Sequence, residues 1–180
     1  MVSIQGVHLF EDKVYHDTRG HFIESYQAAR IQATLGQAID FVQDNLAFSN
    51  YGAIRGLHMQ LPPYAQAKLV YCIQGKIIDV AIDVRKGSPT FGKSFTVELS
   101  EENRFQLFVT KGFLHGYSVI SETALVGYKC DDFYNKESEC GINPLDCTLN
   151  IDWKVPSDKQ LISEKDQIAI SFHELPEIIL

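Results

Sequence analysis

A histidine and a lysine that lie close together in the sequence give the first chemical signal of the chain. His58 lies in the run RGLHMQ (55–60), and Lys68 ends the run AQAK (65–68). A neutral imidazole accepts a proton from carbon near neutral pH, and a nearby ammonium group stabilises the oxyanion that forms as the proton leaves. Either residue alone is more often structural, but together they indicate proton abstraction next to a carbonyl group.

Two further polar residues, His115 and Tyr128, lie in or beside predicted strands. Polar side chains that face the interior of a barrel are costly unless they bind something. A tyrosine near the end of a strand is most often a packing residue, and its hydroxyl becomes chemically relevant when it faces a cavity opposite a base. Because a base, an acid and a cation are present together, the set favours an enzyme over a catalytically silent binding module.

The residue pattern predicts an all-β fold, a sandwich or barrel with a few short helices, that positions these side chains. The clearest helix is YQAARIQATL (26–35), which is rich in alanine and is followed by Gly36 as a stop signal. The chain after it favours many short strands with tight turns. The predicted strands are 68–73, 76–85, 95–99, 106–109, 116–120 and 124–129.

The connections between these strands carry two further predictions. Gln74-Gly75 separates the first two strands and predicts that they form a hairpin. Residues 135–159 lose the alternation and contain prolines, a glycine and several acids, so they are predicted to form long loops. The segment LISEKD (161–166) that follows them is predicted to return polar residues to the site.

Length and composition exclude several classes of protein. A chain of 180 residues is predicted to form one domain, and its net charge of −7 argues against binding of nucleic acid. No apolar stretch approaches the ~18 residues needed to cross a bilayer, so we expect neither membrane insertion nor export, and a cytoplasmic location. The four cysteines lack CxxC spacing and are predicted to be reduced thiols, with a disulfide or a metal site as the minority alternative.

The chain strongly resembles the dTDP-4-dehydrorhamnose 3,5-epimerase family over almost its entire length. Each matching stretch is weak alone, but nine of them in the family's order are highly specific. They are DTRGHFIESY (17–26), FVQDN (41–45), IRGLHMQ (54–60), AQAKLV (65–70), DVAIDVRKGSPTFG (79–92), LSEENRFQLFV (99–109), KGFLHGY (111–117), YKCDDFY (128–134) and LISEKD (161–166). The chain departs from the family at Thr110, Leu114 and Pro144, where the family has proline, alanine and tryptophan.

The resemblance implies a cupin-type jelly-roll barrel that spans residues 1–180, with an N-terminal segment and a C-terminal loop and helix region packed on it. It further implies a homodimer that acts on a dTDP-sugar, dTDP-4-dehydro-6-deoxyglucose, without metal or organic cofactor. By position, His58 is similar to the family's general base, Tyr128 to its general acid, Asp166 to the aspartate that binds the base, and Lys68 to the cation beside the keto oxygen.

The resemblance also implies a set of substrate contacts to nucleotide, diphosphate or sugar. Phe22 is similar to a residue that stacks on the base, and Arg19 and Glu24 belong to a segment that the family lends to its dimer partner. The positions similar to the family's substrate-binding residues are Arg19, Phe22, Glu24, Gln43, Asn45, Arg55, His115, Tyr134 and Glu139.

The chemistry explains why two opposed groups are needed. Epimerisation removes a proton from one face of a carbon and returns it to the other, so a lone histidine only exchanges the proton, whereas His58 opposed by Tyr128 inverts the centre. Two alternatives stay open. One is a metal-dependent cupin, disfavoured because His58 is not part of an HxH pair, and the other is a sister nucleotide-sugar enzyme, either a 3-epimerase or a 3,4-ketoisomerase. Tyr128 disfavours the ketoisomerase.

Overall fold

The computed structural model of the protein describes residues 4–179, so residues 1–3 and 180 of the predicted domain lie outside the described residues. The helices are α1 (Ala28–Leu35) and α2 (Glu164–Gln167), and 3₁₀ turns occupy Lys136–Ser138, Ser157–Lys159 and Phe172–Glu174. The strands are β1 (Val7–Glu11), β2 (Val14–Asp17), β3 (Gly20–Ile23), β4 (Gln43–Asn50), β5 (Ala53–Gln60), β6 (Lys68–Gln74), β7 (Lys76–Asp83), β8 (Ser94–Ser100), β9 (Phe105–Val109), β10 (Phe113–Val119), β11 (Thr123–Cys130), β12 (Glu139–Gly141) and β13 (Leu161–Ile162).

Two sheets form the barrel and confirm the predicted all-β fold. The first sheet has the strand order β1-β9-β6-β11-β4, and the second has the order β12-β5-β10-β7-β8, with antiparallel neighbours throughout. Strand β13 adds to the second sheet by parallel pairing with β5. Strands β2 and β3 pair only with each other among the described residues and form a separate hairpin.

Three apolar clusters organise the layers. The interior cluster, which includes Val70, Leu107 and Val126, lies between the sheets. A second cluster covers the outer face of the second sheet, where C-terminal residues such as Trp153 pack against it. A third joins Ile31 of α1 to Phe108 of the first sheet. The second sheet is therefore covered on both faces, whereas α1 covers only part of the outer face of the first sheet and leaves Leu46 and Phe48 of β4 exposed.

The predicted hairpin between β6 and β7 is wrong. Strand β6 pairs with β9 and β11 of the first sheet, while β7 pairs with β8 and β10 of the second. The chain crosses between the sheets at Gly75, whose φ of 80° is the left-handed conformation that glycine adopts readily. A Gln-Gly turn reverses the chain, but it does not determine whether the second strand pairs with the first or joins the facing sheet.

The other predicted elements are confirmed with shifted ends. The helix begins at Ala28 and ends with Gly36 in the left-handed conformation, as the glycine stop signal predicts. Residues 135–159 are mainly loop, yet they include strand β12 and the buried side chains of Ile142 and Trp153. Three-residue strands carry too little alternation to be recognised from sequence.

A close approach of two backbones brings the site strands together. Gly56 of β5 has a φ of 118°, and a Cβ there would lie 2.7 Å from the Cα of Gly116 on β10. Because neither position tolerates a side chain in this geometry, the two strands approach closely and align His58 with His115.

Among residues 4–179, no helix has the length and apolar character needed to cross a membrane. The four cysteine thiols are free, two of them buried, one half-buried and one exposed.

Candidate active site

Two adjoining cavities open into the barrel. The larger has a volume of about 700 Å³ and the smaller about 330 Å³. His58, Lys68 and Tyr128 line both of them. These three side chains, which the sequence analysis selected, therefore lie where the cavities meet.

His58 is held by a buried carboxylate from the end of the chain. The Nε2 atom of His58 lies 2.5 Å from Oδ1 of Asp166, although the two residues are 108 positions apart in sequence. The position of Asp166 is fixed in turn, because its backbone amide donates a hydrogen bond to the Ser163 hydroxyl at the start of α2. Because Nε2 donates to the carboxylate, the lone pair of His58 resides on Nδ1, and this is the atom that can accept a proton.

The electrostatics of Asp166 keep it ionised. Burial raises the pKa of Asp166, but the hydrogen bond and charge of His58, with smaller contributions from Ser163 and Lys165, outweigh burial and lower it below the ordinary value. A carboxylate that stays charged stabilises the imidazolium that forms when His58 takes up a proton.

Tyr128 lies on β11 and carries a neutral phenol. Burial raises the pKa of Tyr128, and Cys130 reinforces the rise while Arg55 opposes it. A phenol whose pKa is raised stays protonated at neutral pH and can donate a proton.

Lys68 begins β6 and lies inside the barrel. Burial lowers the pKa of Lys68, and the carboxylates of Asp79 and Glu139 counteract this effect. An ammonium group inside the barrel stabilises negative charge that develops beside it more strongly than a lysine in solvent does.

His115 forms a second histidine–aspartate pair beneath the first. Its Nε2 atom lies 2.9 and 3.0 Å from the two carboxylate oxygens of Asp79, and both residues are buried. His115 also pairs in register with His58 across β10 and β5. The sequence analysis missed Asp79, because its alternation with Val80 and Ile82 is typical of a strand with one solvent-exposed face, whereas both faces of β7 are buried.

Polar side chains from three elements line the smaller cavity. The side chains of Gln43 and Asn45 on β4 are joined by a hydrogen bond of 3.0 Å. The side-chain oxygen of Gln43 accepts a hydrogen bond from the backbone amide of Tyr134. The Tyr134 hydroxyl donates to Glu139 at 3.0 Å, and Lys165 donates to the same carboxylate oxygen at 2.6 Å. The sequence analysis did not single out Lys165, although it lies beside Asp166 in the LISEKD segment.

Arg55 lines the larger cavity near its mouth. Its Nε atom donates to the Ser49 hydroxyl at 2.9 Å, which orients the guanidinium group. An oriented guanidinium is suited to bind phosphate or carboxylate oxygens.

Three of the predicted substrate contacts lie elsewhere. Arg19 and Phe22 belong to the β2–β3 hairpin and Glu24 follows it, and none of them lines either cavity of the described chain. The Arg19 side chain is 87% exposed and pairs with Asp17. Phe22 is also largely exposed, which is unusual for a phenylalanine without an apolar partner surface.

No group of three or more histidine, cysteine, aspartate or glutamate side chains is arranged to hold a metal ion in residues 4–179. The two histidine–aspartate pairs use the ring Nε2 atoms for the carboxylates.

A cavity that combines a carboxylate-bound imidazole, a neutral phenol and an amino group is suited to move protons at a carbon atom without oxidation or reduction. In a barrel of two antiparallel sheets, this defines a cupin-like isomerase. The comparison with known families agrees, since the model for dTDP-4-dehydrorhamnose 3,5-epimerase matches residues 1–174. The chain belongs to the dTDP-4-dehydrorhamnose 3,5-epimerase family.

Individual relatives support this assignment. The dTDP-4-dehydrorhamnose 3,5-epimerase of Shigella flexneri is 48% identical over 164 residues, which cover 91% of this chain and 90% of that protein. A crystal structure of the Legionella pneumophila dTDP-6-deoxy-D-glucose-3,5-epimerase in complex with dTDP-4-keto-L-rhamnose is 43% identical, with a TM-score of 0.92 over 97% of this chain and 92% of that one. A 3'-monoepimerase from Streptomyces bikiniensis in complex with dTDP-quinovose is 33% identical, with a TM-score of 0.87 over 94% and 85%.

Proposed function

We propose that this protein converts dTDP-4-dehydro-6-deoxy-D-glucose into dTDP-4-dehydro-L-rhamnose by inverting C3 and C5. The observation that carries the proposal is the meeting of His58, Lys68 and Tyr128 at the junction of the two cavities, with Asp166 on the far side of the imidazole. Family membership and the relatives' activities support it. The proposal includes a cytoplasmic location and a single domain over residues 1–180.

The reaction begins with proton removal from a carbon next to the 4-keto group. The Nδ1 lone pair of His58 takes the proton, and the Asp166 carboxylate stabilises the resulting imidazolium. The electron pair of the C–H bond moves to the keto oxygen, where the Lys68 ammonium stabilises the enolate. An electrostatic contribution of this kind is typically about 3–4 kcal/mol.

Inversion follows when the proton returns from the opposite side. Tyr128 donates its phenolic proton to the carbon, and the enolate electrons reform the carbonyl group. The phenolate then recovers a proton from solvent, and the His58 imidazolium releases its proton to solvent before the next event. Arg55 opposes the rise in the pKa of Tyr128 and so favours this phenolate. Two such events, one at C5 and one at C3, give the double epimerisation.

The rest of the cavity fits a nucleoside diphosphate sugar. Arg55 offers an oriented guanidinium to the diphosphate, while Gln43, Asn45, Tyr134 and Glu139 offer polar groups near the proton-transfer residues. His115 is held by Asp79 and orients a ring nitrogen for the sugar.

We further propose a homodimer in which the β2–β3 hairpin of each subunit completes the site of its partner. Arg19, Phe22 and Glu24 would then bind nucleotide there, since none of them lines its own cavity. The exposed side chains of Leu46 and Phe48 on the edge strand β4 supply an apolar surface for the partner to cover.

One experiment distinguishes the candidate activities. The protein is incubated with dTDP-4-dehydro-6-deoxyglucose in deuterated water, and the product is analysed by NMR for configuration and deuterium at each carbon. The proposal predicts deuterium and inversion at both C3 and C5. Inversion at C3 alone would establish a monoepimerase, as in the Streptomyces bikiniensis relative, and no exchange at either carbon would refute epimerase activity on this substrate.

A further inference from the structure

Lys165 extends from α2 to β12 across the rim of the larger cavity. Its Nζ atom lies 2.6 Å from Oε2 of Glu139, an oxygen that also accepts a hydrogen bond from the Tyr134 hydroxyl. The Lys165 side chain is 64% exposed, whereas the Glu139 side chain is 19% exposed. The ion pair therefore joins a surface cation to a carboxylate that lies partly inside the site.

The helix that carries Lys165 also carries Asp166 and has little support of its own. Helix α2 is a single turn, and an isolated turn is not stable because the cost of helix nucleation exceeds what its few hydrogen bonds return. Its Ser163 cap and the hydrogen bond from Gln167 to the Ile162 carbonyl are both local to the segment. These local bonds shape the turn but do not fix its distance from the barrel.

The backbone is anchored before α2 by the pairing of β13 with β5 and after it by the bridge between Ile170 and Ile142, and side-chain contacts to the chain around β12 hold the turn between these anchors. Besides the Lys165–Glu139 pair, the Asn143 side chain donates to the Gln167 carbonyl at 2.8 Å. Strand β12 itself lies against the base, since Gly141 pairs with His58 in register and a Cβ at Gly141 would lie 2.9 Å from Cδ2 of the imidazole ring. His58 is thus enclosed between the two segments that the ion pair connects.

We propose that Lys165 is a positioning residue for proton abstraction, acting by holding α2 against β12 so that the Asp166 carboxylate stays on His58. The proposal deepens the proposed function, since it assigns a further residue to the same reaction. Lys165 is adjacent to Asp166 in the chain and touches Glu139 rather than His58, so it acts through its neighbours.

The Lys165–Glu139 contact joins two charged groups. The hydrogen bond to Glu139 raises the pKa of Lys165, which therefore stays protonated and holds the carboxylate by a charge-assisted bond. The hydrogen bond from Lys165 lowers the pKa of Glu139 despite the opposing effect of burial.

The test compares Lys165→Met with Lys165→Arg. The methionine variant loses the cation but keeps a side chain of similar length, and we expect kcat to fall about tenfold or more, since small misplacement of a catalytic pair has large effects, while KM changes little. Lys165→Arg keeps the cation and should restore kcat. Lys154→Met is the matched control, because Lys154 is 61% exposed, pairs with Asp152 and does not line either cavity.

A double variant separates positioning from an independent role. If Lys165 acts through Asp166, then adding Lys165→Met to Asp166→Asn should lower kcat no further. An equal loss in both backgrounds would overturn the proposal, and so would a rise in KM alone, which would indicate direct contact with substrate.

NMR of the hydrogen-bonded proton on Nε2 of His58, assigned by comparison with His58→Asn, tests the position of Asp166 without substrate. The signal of this proton should shift or weaken in Lys165→Met but not in Lys165→Arg or Lys154→Met, and an unchanged signal in Lys165→Met would overturn the proposal. Because this measurement needs no turnover, it is informative even if the protein fails to epimerise the proposed sugar. Thermal unfolding verifies that each variant is folded, and an exposed ion pair of this kind contributes little to stability.

Discussion

Replacing Asp166 with asparagine should impair the enzyme more than replacing it with alanine. The carboxylate accepts a hydrogen bond from Nε2 of His58 at 2.5 Å and thereby leaves the Nδ1 lone pair free. An asparagine amide of the same shape can donate to Nε2 instead, which places the ring proton on Nδ1 and blocks the atom that must accept the substrate proton. Alanine removes the hydrogen bond but imposes no wrong tautomer.

The magnitudes follow from the interactions that each variant loses. A hydrogen bond to a charged group contributes about 1.5–3 kcal/mol, and at about 1.36 kcal/mol per tenfold change its loss in Asp166→Ala corresponds to a fall in kcat of roughly 10- to 150-fold. Where asparagine stabilises the wrong tautomer, the loss reaches about 10⁴-fold. The fall in kcat for Asp166→Asn is therefore expected to exceed that of Asp166→Ala and to stay below about 10⁴-fold.

The assay is the initial rate of deuterium uptake from solvent into dTDP-4-dehydro-6-deoxyglucose, with thermal unfolding as the control for folding. A kcat for Asp166→Asn within threefold of wild type would refute the role of Asp166. An alanine variant that is slower than the asparagine variant would refute the tautomer argument, but it would not refute the contribution of the hydrogen bond to kcat.

Three further predictions concern the metal, the partner subunit and stability. Exhaustive chelation should leave activity unchanged, because proton transfer uses an ammonium group in place of a Lewis acid; a stoichiometric metal whose removal abolishes activity would contradict this. Arg19→Ala should raise KM more than it lowers kcat, and mixed dimers with His58→Ala chains should regain one intact site; no recovery after verified subunit exchange would place Arg19 in its own subunit's site. Although burial opposes it, hydrogen bonds from Arg85 and two nearby hydroxyl groups lower the pKa of the buried Asp83 from 3.8 to about 2. This carboxylate should thus contribute about 2 kcal/mol of stability that is present above pH ~4 and is lost as the pH falls towards ~2, and denaturant unfolding of Asp83→Asn should show a weaker dependence on pH over that range.

The sequence predicted the fold class because the strands alternate clearly and their turns are marked by glycine and polar residues. It did not predict how the strands pair. Gly75 marks a turn in either arrangement, and only the packing of two facing sheets, which involves residues far apart in the chain, sends β7 into the second sheet. Strand β12 was missed for a related reason. Its three residues show no strand pattern of their own, and they form a strand because they pair with β5.

The sequence analysis selected residues whose side-chain type indicates their chemistry. It missed a residue whose role depends on its burial. His58, Lys68 and Tyr128 were identified by their types, and the resemblance added Asp166, which the fold brings to His58 from 108 positions away. Asp79 was missed because an acidic residue that alternates with aliphatic ones usually faces solvent, while here it is buried against His115.

The central claim is that protons leave and return on opposite faces of the sugar carbon. Its most direct test is the configuration of that carbon after reaction with the Tyr128→Phe variant. Substrate is incubated with this variant in deuterated water, and NMR measures both deuterium content and configuration at C3 and C5. The account predicts that deuterium enters through the His58 side without inversion, because the base still removes the proton and returns a deuteron to the same face. Inversion at the wild-type rate in Tyr128→Phe would contradict the account and require another proton donor on the opposite face.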